Sequence, residues 1–304
     1  MNKKIIIGFL ILVVSAVPGF CADSSGTTGL QFLKMGVGAR SAGLGEAFTA
    51  VSDDIYAISY NPSGLMGISG RQATFMYNMW IENINAGYLA YAQPIGSDLT
   101  DKAAVVGVAV NYVGYGTIPK TGENAEDLGT YSAQDYCVSI GGASTLMGLI
   151  DLGVTAKLIS STIENYSAFG VVMDIGAMYM IGDMNIGIVG QNLGSGITYV
   201  SENTALPSAF KLGLGYKILK TKPNSLLAFL DVNMPNDNVT SVNVGAEYGF
   251  NDLFSVRVGY KGAEPAGITF GAGVKINKFL LIDYAFVPCT EMWQTHRISL
   301  TALF

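Results

Sequence analysis

The chain offers few side chains that could perform catalysis. His296 is its only histidine, and a histidine that acts as a general base needs a nucleophile within reach and a third group to orient it. Ser299, three residues later, lies on the opposite face of a segment in which polar and apolar residues alternate. We therefore predict that His296 is an interfacial residue and that the protein is not an enzyme.

Candidate ligands for metals and phosphates are equally sparse. Asp53 and Asp54 are adjacent acids, but no third acid follows at the spacing of a cation-binding loop, so helix capping is the favoured interpretation. The glycine-rich run GVGARSAGLGE, residues 36–46, lacks the Gly-Lys-Ser/Thr sequence of a phosphate-binding loop. Cys137 and Cys289 are far apart, without metal-ligand spacing, and are predicted to be unpaired. The sequence thus predicts neither a metal nor a cofactor.

The composition indicates an exported, unusually apolar protein. Hydrophobic residues make up 50% and charged residues 13% of the 304 residues, and the mean hydropathy is +0.38. Residues 1–22 combine two lysines, an apolar run and small residues near Ala22, which predicts a cleaved signal peptide. A lipoprotein signal at Cys21 is the less favoured alternative because the bulky Phe20 precedes it. Cleavage leaves 15 basic against 23 acidic residues, a balance that gives no support for nucleic-acid binding.

The remaining chain shows the pattern of strands rather than of membrane helices. After residue 22 no uninterrupted apolar run reaches the 18 or so residues that a spanning helix needs. The other structure that can span a bilayer is a closed barrel of strands, in which about ten residues alternate between an apolar and a polar face. In LIDLGVTAKLIS, residues 149–160, the apolar positions alternate with Asp151, Gly153, Thr155 and Lys157. Turn signals divide the chain into about fourteen such strands.

Charged residues avoid the apolar register of these strands, which predicts that they line a lumen. A soluble sandwich would alternate in the same way, but the low total charge and the glycines between the charges favour an all-β, transmembrane antiparallel barrel. Six acidic and seven basic residues nearly balance, which favours a filled interior over a wide ion-selective pore. For any single residue, however, a place on a solvated lumen wall is the favoured interpretation. These residues are Asp135, Asp151, Lys157, Asp174, Lys211, Lys217, Asp231, Glu247, Arg257, Lys261, Lys275, Asp283 and Arg297.

Two segments differ from the repeated strands. SDDIYAISYNPSGL, residues 52–65, predicts one short helix with Ser52 as N-cap, which Asn61, Pro62 and Gly64 terminate. The last segment, HRISLTALF, alternates and ends on Phe304, and it resembles the terminal strand by which outer-membrane barrels are recognised for insertion. We therefore expect contacts with the barrel-assembly machinery and with outer-membrane lipid.

The front of the chain resembles a known family. GLQFLKMGVGARSAGLGEAFTAVSDDIYAISYNPSGL, residues 29–65, resembles the N-terminal signature of the PorV/PorQ outer-membrane proteins, which are related to the FadL fatty-acid transporters. QNLG at 191–194, KLGLGY at 211–216, DYAF at 283–286 and THRISL at 295–300 extend the resemblance over the mature chain. It implies a fourteen-stranded barrel, residues 71–304, with a short helical plug, residues 23–70, inside the lumen. The plug or gate residues would be Arg40, Glu46, Asp53, Asp54, Asn61, Pro62 and Gly64.

The same resemblance implies a location and three alternative functions. The location is the bacterial outer membrane. The relation to FadL implies that the barrel binds or passes hydrophobic small molecules. PorV itself serves protein export in type IX secretion, which implies instead an accessory barrel that contacts secretion components. A structural or porin-like barrel is the third alternative.

Overall fold

The structure is a computed structural model that describes residues 26–51, 53–80, 82, 84–98, 101–199, 201–263, 266–288 and 294–304. The predicted signal peptide with Cys21, the predicted helix cap Ser52 and Cys289 lie outside the described residues. Cys137 is free and buried. In the described part of the chain, no helix has both the length and the apolar character that crossing a membrane requires.

Fourteen antiparallel strands close into one barrel, which confirms the predicted fold. Strands β1 to β7 and β10 to β16 form the wall, β1 pairs with β16, and β8 and β9 form a separate hairpin. The strands are β1 Gln72–Met79, β2 Asn85–Asp98, β3 Asp101–Thr121, β4 Asp127–Leu146, β5 Ile150–Ile163, β6 Tyr166–Ile181, β7 Met184–Leu193, β8 Ile197–Tyr199, β9 Glu202–Thr204, β10 Ala209–Thr221, β11 Asn224–Pro235, β12 Ser241–Phe250, β13 Phe254–Lys261, β14 Gly267–Asn277, β15 Leu280–Val287 and β16 Thr295–Leu303.

The barrel has two different ends. At one end Gln72 pairs with Leu303, so β1 begins where β16 finishes, and we call this the terminal end. At the other end Met79 pairs with His296, and we call this the loop end. The loop end carries the turn between β3 and β4 and the long β7–β10 connection that contains the β8–β9 hairpin.

The outer surface of the barrel is apolar. Exposed Leu89, Ile140 and Val256 lie on it, and aromatic residues are exposed towards the terminal end, as in the aromatic girdle of a membrane barrel. His296 lies on this outer side, where its Nδ1 is 2.7 Å from the hydroxyl of Tyr284. The predicted separation of charges from the apolar face therefore holds. The lumen charges buried in the structure are Asp135, Asp151, Lys157, Asp174, Asp231, Glu247, Arg257, Asp283 and Arg297.

The segment before β1 runs through the lumen from the loop end to the terminal end. Near its start the backbone N–H of Gly29 donates to the carbonyl of Ala205 in the β7–β10 connection, and Arg71 at its end exchanges two backbone hydrogen bonds with Phe304. We call residues 26–71 the plug. Its regular elements are a 3₁₀ turn at Gln31–Lys34, helix α1 at Ala39–Gly43, helix α2 at Ala57–Tyr60 and a second 3₁₀ turn at Pro62–Gly67.

The predicted helix over residues 52–65 is wrong in length and in its capping. Helix α2 has four residues, and Asn61 behind it is extended, with φ −149°. Asn61 then caps the following 3₁₀ turn by accepting a hydrogen bond from the N–H of Ser63. The carboxylate of Asp54 accepts from the N–H of Tyr56 at 2.9 Å, outside the first turn of α2. So short a helix is unstable alone, and contacts with the wall decide the local conformation.

Apolar plug residues fill the middle of the barrel. Leu44, Phe48, Ile55, Ile58 and Leu65 have relative exposures of at most 1%. They form one cluster with inward wall residues of β1 to β4 and β11. Burial of this kind contributes about 1.5–3 kcal/mol for each large side chain. The plug is therefore part of the hydrophobic core. This agrees with the predicted filled interior.

Candidate functional site

Inward glycines allow the plug to lie directly against the wall. A Cβ on Gly153 of β5 would be 2.3 Å from the backbone of Pro62, and one on Gly176 of β6 would be 2.0 Å from the amide oxygen of Asn61. Side chains at these positions would displace the plug. The glycines that alternate with charged residues on the inner face of the wall thus allow the plug backbone to approach the wall backbone closely. Gly187, Gly245 and Gly259 meet plug backbone in the same way.

Arg40 on α1 joins the plug to the wall. Its Nε and Nη2 each lie 2.9 Å from a carboxylate oxygen of Glu247 on β12, a bidentate pair. Its Nη1 is 2.7 Å from Asp53 and 3.3 Å from Asp54. The structure therefore brings together three predicted plug residues with one predicted lumen charge.

The wall continues this network behind Glu247. Arg257 on β13 lies 2.5 Å from Glu247 and 2.6 Å from Asp283 on β15. The side chains of Arg257 and Asp283 are 3% exposed, and those of Arg40, Asp54 and Glu247 are 10–11% exposed. Asp53 is the exposed member of the network, at 58%. Buried pairs of this kind fix one arrangement, because breaking them leaves an uncompensated charge.

Glu46 makes a second charged link from the plug. It lies 3.1 Å from Lys261 on β13 and 3.5 Å from Arg297 on β16. Despite the opposing effect of burial, Lys261 and Arg297 keep the pKa of Glu46 below its usual value. Asp54 differs, because burial raises its pKa to about 6 although Arg40 opposes the shift.

Backbone groups of the plug are held by polar side chains of the wall. Asp231 accepts hydrogen bonds of 2.9 Å from the N–H groups of Phe48 and Thr49. Gln191 donates to the carbonyls of Ser59 and Tyr60 at 3.0 and 2.7 Å. Such bonds satisfy groups that would otherwise be buried without partners.

Asn61, Pro62 and Gly64 are structural residues of the plug. The amide of Asn61 donates to the carbonyl of Thr49 at 2.8 Å, which ties two plug segments together. A Cβ on Gly64 would be 2.5 Å from the carbonyl of Val51. These predicted residues therefore shape the plug, and the ion pairs that attach it to the wall come from Arg40 and Glu46.

The QNLG sequence forms an irregularity between β6 and β7. The register shifts between Met173 and Ile175, and Asn192 behind the shift has a positive φ of 54°. Asp174 accepts from the N–H of Asn192 at 2.8 Å, and Lys157 lies 2.7 Å from Asp174. Two predicted lumen charges thus replace part of the backbone ladder at this point.

Lys211, Asp151 and Lys275 are predicted lumen charges that do not belong to the ion pairs described above. Lys211 is 6.0 Å from the ring centroid of Tyr60. Asp151 accepts a hydrogen bond from Thr145 near the terminal end, and Lys275 is half-buried at the same end. Phe304 is 69% exposed on the outside.

A cavity of about 160 Å³ lies near the loop end, between plug residues 33–37 and the inner side of the wall. One side is polar, with Lys157, Lys211, Lys261 and Glu46 among its lining residues. Next to it lies an apolar cluster that includes Leu30, Phe32, Val113, Ile159, Ile197 and Leu206, and Cys137 belongs both to the cluster and to the cavity lining. The arrangement can hold a small molecule, and the plug fills the lumen below it.

Sequence reasoning missed the attachment of the plug at the loop end. Lys34 lies 2.5 Å from Asp237 in the β11–β12 connection, and Thr28 and Gln31 also donate to Asp237. These partners are more than 200 residues apart in sequence. Asp237 belongs to the turn signal MPNDN, and no local pattern distinguishes it from an ordinary turn residue.

Comparisons with known proteins place the fold. Residues 13–99 match an uncharacterised protein family, UPF0164, and a search of curated proteins finds no match. The toluene transporter TbuX of Ralstonia pickettii has a TM-score of 0.62 at 14% identity, over 88% of this chain and 98% of TbuX. The CymD monoaromatic hydrocarbon channel has a TM-score of 0.62 at 12% identity, over 88% of this chain and 98% of its own.

A Pseudomonas aeruginosa FadL homologue gives a TM-score of 0.51 at 12% identity, over 94% of this chain and 99% of its own. At these identities the likeness concerns the fold. The closed wall of fourteen strands therefore shares its fold with TbuX and with the FadL homologue.

Proposed function

We propose that this protein is a non-enzymatic outer-membrane barrel that binds and passes hydrophobic small molecules. The apolar outer surface with its aromatic residues supports a membrane location. The fold shared with a toluene transporter and a monoaromatic hydrocarbon channel supports the class of ligand. Export by a cleaved signal peptide and insertion through the Phe304 strand belong to the same proposal.

The observation that carries the proposal is the cavity at the loop end. It adjoins the apolar cluster around Phe32 and Val113, so the body of an apolar molecule can lie against that cluster. Its other side presents Lys211 and the amide of Gln191, which favours ligands with a polar group at one end. Pockets that combine an apolar wall with a few polar groups are typical binding sites.

The plug is the gate in this proposal. Its part after the cavity fills the lumen towards the terminal end, and the ion pairs of Arg40 and Glu46 attach it to the wall. Passage towards the terminal end therefore requires the plug to shift. The role agrees with the resemblance to the PorV/PorQ and FadL proteins, which implies that residues 23–70 of this chain form a plug inside the barrel.

The experiment compares two substitutions on strand β4. Ser139 is buried and lines the cavity, whereas Ser144 is exposed on the outside of the same strand. We would purify the full mature chain in detergent with Ser139→Phe or, as the matched control, Ser144→Phe. Native mass spectrometry would then measure retention of octanol and of octanoate.

We expect the wild type and the Ser144→Phe control to retain the probe molecule and Ser139→Phe to lose it. Equal retention by all three proteins would place the ligand outside the cavity and refute the proposal. No retention by the wild type would also refute it and would leave export as the function to test.

A second candidate, an accessory role in protein export, is favoured by the β3–β4 hairpin. Pairing of β3 with β2 ends at Gly114 and pairing of β4 with β5 ends at Ala133, so residues 115–132 project beyond the wall. Leu128 in this projection is 54% exposed. Deleting residues 117–131 should abolish export of a partner protein in this case, and it should leave ligand retention unchanged.

A further inference from the structure

A lysine-rich groove lies at the terminal end, far from the cavity and the plug attachments. Its volume is about 240 Å³, and it is formed by the β10–β11 turn with Asp252 of the neighbouring β12–β13 turn. Lys217, Lys220 and Lys222 line it, together with the apolar side chains of Leu219 and Leu227. Three cations against one acid are concentrated here in a chain whose formal net charge is −6.

A bulge in β10 places two of these lysines on one face. Lys217 pairs with Leu227, the register then shifts, and Lys220 pairs with Ser225. Residues directly opposite in a ladder share a face, and Leu227 packs against the lumen core. Without the extra residue Ile218, Lys220 would face the membrane. With the bulge, Leu219 takes that side and is 38% exposed.

The groove lysines have little compensation from acids. In the part of the chain that the structure describes, Lys222 lies 3.4 Å from Asp252, and both side chains are largely exposed, at 92% and 76%. Such an exposed pair contributes little. Within the described residues, no carboxylate lies within 4.0 Å of Lys217 or Lys220. The groove therefore presents positive charge that an anion can neutralise.

The groove also reaches the membrane-facing surface. Asn224, which lines it, accepts a hydrogen bond of 2.6 Å from the hydroxyl of Tyr248. Tyr248, Phe250 and Phe254 are 39%, 43% and 55% exposed on the outside of the barrel. Aromatic residues of this kind lie at the level of lipid head groups. Lys220 and Lys222 are exposed at the same end of the barrel, so a lipid phosphate at this level would lie beside them.

We propose that this groove binds the phosphate head group of an anionic phospholipid. The lysines neutralise the phosphate, and Leu219 and the neighbouring aromatic residues contact the first part of the acyl chains. The apolar part of the groove favours an amphiphile over free phosphate. Clusters of basic residues beside a membrane attract anionic lipids by about fivefold for each lysine.

The test measures lipid binding by the full mature chain in neutral detergent. Native mass spectrometry would compare phosphatidylglycerol with phosphatidylcholine of the same acyl chains, each with and without excess inorganic phosphate or a short polyglutamate. The variants are Lys220→Gln, Lys220→Gln/Lys222→Gln and Asp252→Asn. Lys120→Gln removes an exposed lysine of the β3–β4 hairpin at the loop end and is the matched control.

We expect preferential binding of phosphatidylglycerol, reduced about fivefold by Lys220→Gln and roughly 25-fold by the double variant. Asp252→Asn should strengthen binding, and Lys120→Gln should leave it unchanged. Equal binding of the two lipids, or an unchanged affinity in the double variant with the barrel intact by circular dichroism, would overturn the proposal. Binding of phosphate or polyglutamate as tightly as the lipid would also overturn it.

Discussion

Replacing Arg40 by glutamine should loosen the plug without opening the wall. The change removes the bidentate pair with Glu247 and leaves Asp54 buried without its cation. Removing one partner of a buried ion pair costs about 3–5 kcal/mol. Arg257 still lies 2.5 Å from Glu247, so the lower figure of about 3 kcal/mol applies. The opening equilibrium of the plug should therefore rise on the order of 100-fold.

Hydrogen exchange measured by mass spectrometry reports this opening directly. The amides of Phe48 and Thr49 are buried in the plug and bonded to Asp231, so they exchange when the plug moves away from the wall. Their protection should fall on the order of 100-fold in Arg40→Gln, whereas wall peptides should stay protected. Lys120→Gln breaks an exposed pair and serves as the control.

A double-mutant cycle with Glu247→Gln tests whether the pair itself is responsible. The two side chains are in direct contact, so the double variant should be less destabilised than the sum of the single variants, by about 0.5–3 kcal/mol. Additive effects, or protection within threefold of wild type in Arg40→Gln, would refute the view that this ion pair retains the plug.

Three further perturbations test other contacts. Gly153→Ala places a Cβ 2.3 Å from Pro62 and should lower stability by about 1–3 kcal/mol, measured as a lower temperature for the heat-dependent electrophoretic shift of the folded barrel. Lys157→Met leaves Asp174, whose side chain is fully buried, without its cation and should cost about 3–5 kcal/mol in the same assay, whereas Lys157→Met/Asp174→Asn should recover part of the loss. The pKa of Asp54 is about 6 against an ordinary 3.8, so its ionisation disfavours the folded plug above pH 6 and has no effect below 3.8. The free energy of plug opening, taken from exchange rates corrected for their intrinsic dependence on pH, should therefore rise by up to about 3 kcal/mol from pH 7 to pH 4. The same pH dependence in the wild type and in Asp54→Asn would contradict this.

The register of the wall was predictable, and the partners of its charges were not. Alternation alone assigns Arg257 and Asp283 to the lumen, because one step of register would place them on the apolar outer face. Their neighbours depend on strand order and stagger. The pair between Arg40 and Glu247 joins residues 207 positions apart, which no local pattern reveals.

The plug is the part that sequence reasoning described least well. Capping rules predict a longer helix around Asp53 and Asp54, but Arg40 draws both carboxylates to itself. Asn61 and Pro62 are correctly identified as the point where the helix stops. Close approach to wall glycines such as Gly153 sets the remaining conformation, and glycine spacing shows where an approach is allowed but not which segment makes it.

The pairing of the first strand with the last has a consequence for biogenesis. Gln72 bonds in register with Leu303, 231 positions later (303 minus 72), and Arg71 at the end of the plug exchanges backbone bonds with Phe304, the last residue. A contact of this sequence separation forms late, because the chain between its partners must first be ordered. The wall therefore closes only after β16 has been made, and the plug must already be inside at that step. Closure of the barrel is thus an encapsulation, so a chain truncated before β16 should leave both the edge of β1 and the plug open to proteases.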